Sequence, residues 1–359
     1  MASDRTTSDN YESVLTGAST DVASFEMRDK GLVGRFQEML HATPSLVPLI
    51  VLVAAIVVFG IALGSKFFSP FALTLILQQV QIVGVLAAAQ SLVILTAGID
   101  LSVGALAVLS SVIMGQFTFR YGIPPTASVA IGLAIGTGIG AISGWLVSRV
   151  KLPPFIVTLG MWQILLAANY LYSRNETLRA QDIEAEAPFL QLLGVKFQIA
   201  GATFTLGVIL MLALVVVLAY ALRATAWGRH VYAVGDDPEA AELAGVDVHK
   251  TLMSVYMIVG FICALAGWVM IGRFGSVSPA VSTGMMGNIQ SITAVVIGGI
   301  SLFGGRGSIL GAFFGALIVG VFELGLRMAG ANPQWTWLLI GALIIGAVSV
   351  DQWIRKVSA

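Results

Sequence analysis

The sequence has little charge, few histidines and a single cysteine, and each shortage excludes a class of protein. Only 11% of the 359 residues are charged, whereas 57% are hydrophobic. The mean hydropathy is +0.91, which is too apolar for a soluble protein of this size. The sequence therefore predicts an integral membrane protein embedded in the lipid bilayer.

The few polar residues form no pattern that is typical of a catalytic, metal or nucleotide-binding site. Basic and acidic side chains balance at 19 each, so no net positive field favours nucleic acid as a partner. His41, His230 and His249 are scattered, and no Gly-x-x-x-x-Gly-Lys-Ser/Thr phosphate loop occurs. Cys263 lies in an apolar stretch and is expected to pack there inertly. We expect no catalytic residue, metal or cofactor in this chain, so any ATP must be hydrolysed elsewhere.

Ten apolar runs reach or approach the roughly 20 residues that a membrane helix needs to cross a hydrocarbon core about 30 Å thick. They cover residues 46–63, 73–96, 101–117, 128–147, 155–172, 204–222, 252–271, 289–303, 309–326 and 335–350. An even number places both termini on one side. If that side is the cytoplasm, most lysines and arginines fall inside, as the positive-inside rule requires. Residues 1–44 would then form a cytoplasmic tail ahead of a transmembrane domain at 45–359.

Two of the runs are interrupted by glycine. The third follows Gly98, and glycines flank the eighth on both sides. The four residues Gly98–Leu101 (GIDL) also reappear as Gly299–Leu302 (GISL). Broken helices at matching places are typical of inverted-repeat transporters. We expect an all-α fold of about ten transmembrane helices in two inverted five-helix halves, near residues 46–172 and 204–350.

The polar segment 223–250, between two apolar runs, contains a complete signal for a short helix in water. Asp237 is a natural N-cap, Pro238 suits the first helical position, and Gly245 supplies a left-handed end. Glutamates at the helix start suit the positive end of its dipole. A membrane protein that builds such a helix is expected to dock a cytoplasmic partner there. The docking residues predicted are Asp237, Pro238, Glu239, Ala240, Ala241, Glu242 and Gly245.

Polar side chains at membrane depth leave two interpretations open. A carboxylate such as Asp100 costs roughly 2.5–3.5 kcal/mol at the centre of the membrane, so it needs a partner or water. It either caps the third helix or lines a path for solute, and it can do both. The glutamines of the second run either bond between helices or line the same path. The candidate path residues are Gln78, Gln79, Gln90, Asp100, Ser102, Asn288 and Gln290.

Small residues and one charged pair are expected to serve packing. Glycine recurs every fourth residue in the fourth run and forms a smooth ridge for close helix contact, within one subunit or at a dimer seam. Glu323 and Arg327, four residues apart, are expected to pair on one helix face. The ridge residues are Gly132, Gly136, Gly140 and Gly144.

Three stretches occur in order along the chain: Leu95–Gly104 (LTAGIDLSVG), Ala233–Gly245 (AVGDDPEAAELAG) and Ala294–Gly307 (AVVIGGISLFGGRG). Together they resemble the permease subunits of bacterial monosaccharide ABC importers, the ribose, xylose and galactose type. The resemblance covers the chain from about Leu46 to Arg355. Within that family it is greatest to the alphaproteobacterial fructose import permeases, through Lys151–Trp162. The ending Pro-Gln-Trp-Thr-Trp at residues 333–337 adds to it.

The resemblance implies a multi-pass protein of the bacterial inner membrane that works in a complex. The expected partners are a second permease copy, a cytoplasmic ATPase subunit that holds the ATP and magnesium, and a periplasmic sugar-binding protein. Residues 237–245 would be the helix seated on the ATPase. Fructose is the expected solute, with ribose or mannose as relatives.

Two other classes of protein compete with this interpretation. An ion-coupled secondary transporter of a small polar solute would share the broken helices but usually needs buried ionisable residues, for which only Asp100 and Glu323 are candidates. A membrane enzyme would need a cluster of His, Asp or Glu side chains at acid–base or ligand spacing, and the sequence has none.

Overall fold

The computed structural model describes residues 45–358, and the predicted tail at 1–44 lies outside them. The first half consists of five helices: α1 (Leu46–Leu63), α2 (Pro70–Leu95), α3 (Val103–Tyr121), α4 (Pro125–Ser148) and α5 (Pro154–Ser173). Three of them begin at proline, whose fixed φ suits the first helical turn. At α2 the preceding Ser69 also caps the helix, since its Oγ accepts the N–H of Ala72 at 3.2 Å.

A folded segment separates the two halves. It comprises α6 (Ala180–Glu186), a 3₁₀ helix (Pro188–Gly194) and an antiparallel hairpin of β1 (Lys196–Ile199) and β2 (Ala202–Thr205). Trp268 Nε1 donates to Leu190 O at 3.0 Å and ties this segment to the bundle. We call this end of the bundle the hairpin end.

The second half carries two short helices that lie between long ones. It runs through α7 (Leu206–Ala224), α8 (Ala226–Asp236), α9 (Pro238–Leu243), α10 (Val248–Phe274), α11 (Val281–Ile297), α12 (Ile309–Met328) and α13 (Pro333–Ser358). The end of the bundle that carries α9 is called the α9 end.

The architecture is that of an all-α polytopic membrane protein, as predicted. Within residues 45–358, eight helices are long and apolar enough to cross a bilayer, namely α1 to α5, α7, α10 and α12. The other two predicted runs correspond to α11, which has 17 residues, and to a shorter apolar stretch of α13, Gln334–Ser349. Helices α3 and α10 are buried along most of their length and form the centre of the bundle.

Helix contacts reveal an internal repeat. Helix α2 packs on α11 and α12, and in the same way α10 packs on α3 and α4. Helices α3, α4 and α5 contact one another, and so do α11, α12 and α13. Helices α2 to α5 therefore correspond to α10 to α13. Helices α1 and α7 break the pattern, because α1 packs on α12 whereas α7 packs on α2. The repeat that the contacts define thus has four helices in each half, where the sequence suggested five.

The two halves are inverted, since corresponding helices run in opposite directions. At the hairpin end, Arg273 Nε of α10 donates to Gln78 O of α2 at 3.3 Å. At the α9 end, Gly98, just after α2, lies against Tyr256 of α10. In this repeat the segment equivalent to residues 96–102 is 275–280. The sequence match of Gly98–Leu101 to Gly299–Leu302 was therefore wrong as evidence for the repeat.

The eighth predicted run, 289–303, also has different bounds in the structure. Helix α11 begins eight residues earlier, at Val281, and ends at Ile297. The chain beyond it turns at Gly299, Gly304, Gly305 and Gly307, all with positive φ. Such backbone is easy for glycine and strained for other residues, so the helix cannot continue through it.

Candidate functional site

Helix α9 has the capping geometry that the sequence predicted. Asp237 Oδ1 accepts the N–H of Glu239 at 2.9 Å and of Ala240 at 3.0 Å, and Pro238 is the first helical residue. Gly245 follows in the left-handed region, with φ of +86°. Ala241 is buried beneath the helix and the rest of α9 is exposed. Helix α9 therefore presents a stiff, polar surface outside the bundle.

One apolar side chain interrupts that polar surface. Leu243, the last residue of α9, is 91% exposed, more than any other large hydrophobic residue of the described chain. A lone exposed leucine is common on protein surfaces. Here it lies beside Glu239 and Glu242 on a helix that has little contact with the bundle.

Helix α8, which sequence reasoning missed, connects α9 to the bundle. Thr225 caps it by accepting the N–H of Gly228 at 3.2 Å. Val231 and Val234 are buried, whereas the opposite face is polar. This threonine cap and the apolar spacing were the available signals for a helix, but the stronger cap at Asp237 drew the prediction to α9 alone.

The three stretches that carry the family resemblance meet where α8 ends. Gly305 N–H donates to Leu95 O at 3.0 Å, and Gly235 lies against both groups so closely that a Cβ there would overlap them. Tyr232 Oη donates to Gly307 O at 2.9 Å. Burial raises the pKa of Tyr232, so the hydroxyl stays protonated as a donor. We call this meeting point, formed by Leu95, Gly235 and Gly305, the glycine junction.

Helix α10 starts at the same end with a charged cap. Asp247 Oδ1 accepts the N–H of Lys250 at 2.9 Å, and the Lys250 ammonium lies 2.9 Å from Asp247 Oδ2. The backbone hydrogen bond lowers the pKa of the Asp247 carboxyl, which therefore stays ionised at the positive end of α10.

Four of the predicted path residues form one buried cluster between α2, α3 and α11. Asp100 Oδ1 accepts the N–H of Ser102 at 2.7 Å and its Oγ–H at 2.6 Å, so it fixes the turn that enters α3. With its amide oriented to satisfy both ends, Gln90 donates to Asp100 O at 3.0 Å and accepts the Asp100 N–H at 3.2 Å. Asn288 accepts from Gly104 N–H and donates to Leu101 O. The Asp100 carboxylate and both amides of the cluster thus form hydrogen bonds within the chain.

Two further path candidates meet at Glu323, which the sequence paired only with Arg327. The pair forms, at 2.8 Å, but Glu323 Oε2 also accepts from Gln79 Nε2 at 3.1 Å and from Gln290 Nε2 at 3.4 Å. The carboxylate therefore connects α2, α11 and α12. Gln78 stands apart at the hairpin end, where its carbonyl accepts from Arg273.

The glycine ridge of α4 faces α10 and α3. Gly136 lies against Ala264 and Gly260, and a Cβ at Gly140 would overlap the carbonyl oxygen of Tyr256. The other two positions behave alike: Gly144 meets Tyr256 and Met253, and Gly132 meets Met114. The whole ridge is occupied by helices of the same chain.

No metal-binding group emerges from the part of the chain that the structure describes: nowhere in 45–358 do three His, Cys, Asp or Glu side chains converge. Cys263 is buried in the bundle.

Comparison of the sequence with known proteins finds relatives that align with most of this chain. The chain is 66% identical over 352 residues to the fructose import permease protein FrcC of Rhizobium meliloti, covering 98% of this chain and 97% of that protein. It is 34% identical over 310 residues to the ribose import permease protein RbsC of Escherichia coli K12, covering 86% and 92%. It is 32% identical over 298 residues to the galactose/methyl galactoside import permease protein MglC of the same strain, covering 79% and 87%. None of the solved structures matches the chain.

The family match begins where the internal repeat begins. It extends over residues 72–348, from the first turn of α2 into α13, and includes the glycine junction and α9. The resemblance predicted from the three stretches is confirmed. The chain belongs to the family described as the branched-chain amino acid transport system / permease component.

Proposed function

We propose that this chain is the membrane subunit of an ATP-binding-cassette importer that carries a monosaccharide, with fructose as the first candidate. The observation that carries the proposal is the 66% identity to a fructose import permease over 98% of the chain. The ribose and galactose import permeases are about half as similar, at 34% and 32% identity. Sugar import is common to all three relatives, and fructose belongs to the most similar of them.

The energy for transport comes from a separate ATPase subunit that docks on α9. The support is the exposed, capped helix with Leu243 at its end and with Glu239 and Glu242 beside it. ATP and magnesium would bind to that partner, while this chain makes and breaks no bonds. Its part is to change conformation when the partner moves.

The proposal places the α9 end in the cytoplasm of a bacterial cell, with both termini on that side of the inner membrane. The positive-inside rule supports this orientation, because it places 12 of the 19 lysines and arginines on the cytoplasmic side, four of them in the tail at 1–44. The others include Arg149, Lys151, Arg223, Arg229 and Arg306. The hairpin end then faces a sugar-binding protein outside the membrane, and a second copy of the chain completes the importer as a homodimer.

An ion-coupled mechanism gains no support from the buried carboxylates. Asp100 is held by Ser102, and Glu323 is held by two glutamines and an arginine. Each carboxylate therefore has a structural task that explains its presence in the membrane. ATP-driven alternation between two conformations needs neither of them as an ion site.

Uptake of labelled fructose tests the proposal most directly. Cells that lack this importer are given back the chain together with its ATPase and binding protein, and uptake is measured with unlabelled ribose, mannose, xylose and galactose as competitors. We expect restored uptake that stops on ATP depletion and is competed best by fructose. Uptake that persists without ATP but stops when the ion gradient is dissipated would contradict the proposal and favour a secondary transporter.

The role of Asp100 can be tested in the same assay. We expect Asp100→Ser to retain much of the uptake, because a serine hydroxyl can accept the Ser102 N–H in a similar but weaker turn. Asp100→Leu leaves that buried N–H without an acceptor, a cost of about 1–3 kcal/mol, and should lower the amount of protein in the membrane. Complete loss of uptake by Asp100→Ser at normal abundance would show instead that Asp100 contacts the solute.

A further inference from the structure

A narrow cleft opens on the surface of the chain between α3, α5 and α11, near the middle of the bundle. Its lining includes Val108, Trp162, Leu166, Asn169, Gly284 and Met285. The empty space in and above the cleft, open solvent included, is about 230 Å³. The floor is narrow and has room for roughly one water-sized group. Met285, at 48% exposure, marks the mouth.

A buried amide in the cleft lacks a hydrogen bond. Asn169 is 2% exposed, and its Nδ2 donates to Pro279 O at 2.9 Å. Its Oδ1 is fully buried and accepts from no donor among residues 45–358. Buried amide oxygens nearly always have a partner, because an unmet one loses the hydrogen bonds that water would give. A group that the chain does not supply is therefore expected to reach Asn169.

The tryptophan of the cleft is also without a partner. The indole N–H groups of Trp227 and Trp268 donate within the chain, to Ser254 Oγ at 2.8 Å and to Leu190 O at 3.0 Å. Trp162 is half-buried and its indole N–H finds no acceptor in the described chain. Trp162 is the ninth residue of α5, so this free donor lies close to the middle of a membrane-crossing helix.

The exposed surface of α5 next to the cleft is largely apolar, with Ile164 60% and Leu171 80% exposed, but it carries one amide. Gln163 follows Trp162 and is exposed, and Gly160, one turn earlier on the same helix, has open space beside it. An amide facing hydrocarbon has no hydrogen-bonding partner and is costly there. The side chain of Gln163 is therefore expected to face water or a polar molecule when the protein is in its membrane.

We propose that the cleft and Gln163 form a contact site for the sugar during its passage, an inference that rests on the proposed function. One water molecule in the narrow floor donates to Asn169 Oδ1 and connects it to a sugar hydroxyl at the mouth. The indole N–H of Trp162 and the amide of Gln163 bond to further hydroxyls, while the C–H face of the sugar packs on the apolar mouth. Aromatic and amide groups are well suited to such a ligand. Because the cleft is shallow, the contact is weak, as release to the other side requires.

Cysteine labelling tests where Gln163 faces. The native Cys263 is buried, so the background of reaction with a membrane-impermeant thiol reagent is low. In the assembled importer we expect Gln163→Cys to be labelled, and saturating fructose with its binding protein and ATP to slow the labelling several-fold. Ile142→Cys serves as the control, since Ile142 is 53% exposed on the apolar face of α4 and should stay unlabelled. Absence of labelling at Gln163, or labelling that the sugar does not affect, would overturn the inference and favour contact with lipid or with the second copy.

Sugar selectivity provides the second test. Trp162→Phe keeps a packed ring but removes the N–H, and we expect a roughly three- to tenfold change in the ratio of uptake rates for fructose and a competitor such as ribose. A ratio is independent of protein abundance, so a structural defect alone would not change it. Trp145→Phe, at a half-exposed tryptophan of α4, should leave the ratio unchanged.

The two proposals fail in different ways. If the Trp162→Phe ratio equals that of the wild-type protein, the contact site is wrong while the importer stands. If the wild-type protein imports no sugar at all, the proposed function itself is wrong.

Discussion

Replacing Glu239 by arginine will separate ATP hydrolysis from sugar uptake. We expect uptake to fall more than tenfold, while the protein remains in the membrane at normal abundance. The side chain of Glu239 is exposed, and the capping of α9 depends on Asp237, so the helix itself should persist. Arginine at a helix start costs only about 0.3–1 kcal/mol through the helix dipole. What changes is the charge that the helix offers to its partner.

The measurement combines uptake in cells with ATP hydrolysis by the purified complex in membranes. The basal ATPase activity should survive in Glu239→Arg, whereas its stimulation by the sugar-loaded binding protein should be lost. Glu239→Gln, which keeps the shape and removes only the charge, is the matched control and should retain more uptake than Glu239→Arg. Uptake by Glu239→Arg equal to the wild type would show that α9 is not the docking surface.

Enlarging Gly140 will prevent the protein from assembling its bundle. A Cβ at this position meets the carbonyl oxygen of Tyr256 and the backbone of Gly260, neither of which can move unless α4 separates from α10. Overpacking a protein core usually lowers the free energy of unfolding by about 1–3 kcal/mol. Because the side chain in Gly140→Leu would meet the backbone of α10, we expect a loss at or above the upper end of this range. We expect most of the protein to be lost from the membrane and the remainder to unfold at a lower temperature.

The control for this prediction lies two residues away on the same helix. Gly138 is exposed, and a side chain there would meet nothing within 4 Å. Gly138→Leu should leave abundance and thermal stability close to wild type. If Gly138→Leu is the damaging change and Gly140→Leu is tolerated, the face that α4 needs is the outer one, as at a seam with a second copy.

The sequence predicted well those features of the fold that depend on neighbouring residues, namely helix caps and most of the long helices. Asp237, Pro238 and Gly245 are sufficient to define α9, because a cap, a first turn and a left-handed end all depend on residues within a few positions of one another. Apolar length in the same way located most of the long helices. The end of α11 was missed for the opposite reason: residues 298–303 are apolar enough for a helix, and the turn is dictated by backbone angles at glycine.

Contacts between distant parts of the chain could not be predicted in this way. Glu323 has an arginine four residues away, so the local pair was visible, but Gln79 is 244 residues distant and no pattern connects the two. The same holds for Asp100, where the sequence favoured capping but left a place on the solute path open. The structure assigns it hydrogen bonds to Ser102, and whether sugar also passes there is left to the Asp100→Ser experiment.

The glycine junction has a mechanical consequence. Leu95 ends a helix of the first repeat and Gly305 follows a helix of the second, and the end of α8 is wedged between them with no side chain to cushion the contact. Because backbone meets backbone directly at this junction, a displacement of α9 by the partner that we propose would reach both repeats through the same contact. No series of side chains is needed between α9 and the two repeats. A single added methyl group at Gly235 would overlap the carbonyl oxygen of Leu95 and disturb this junction.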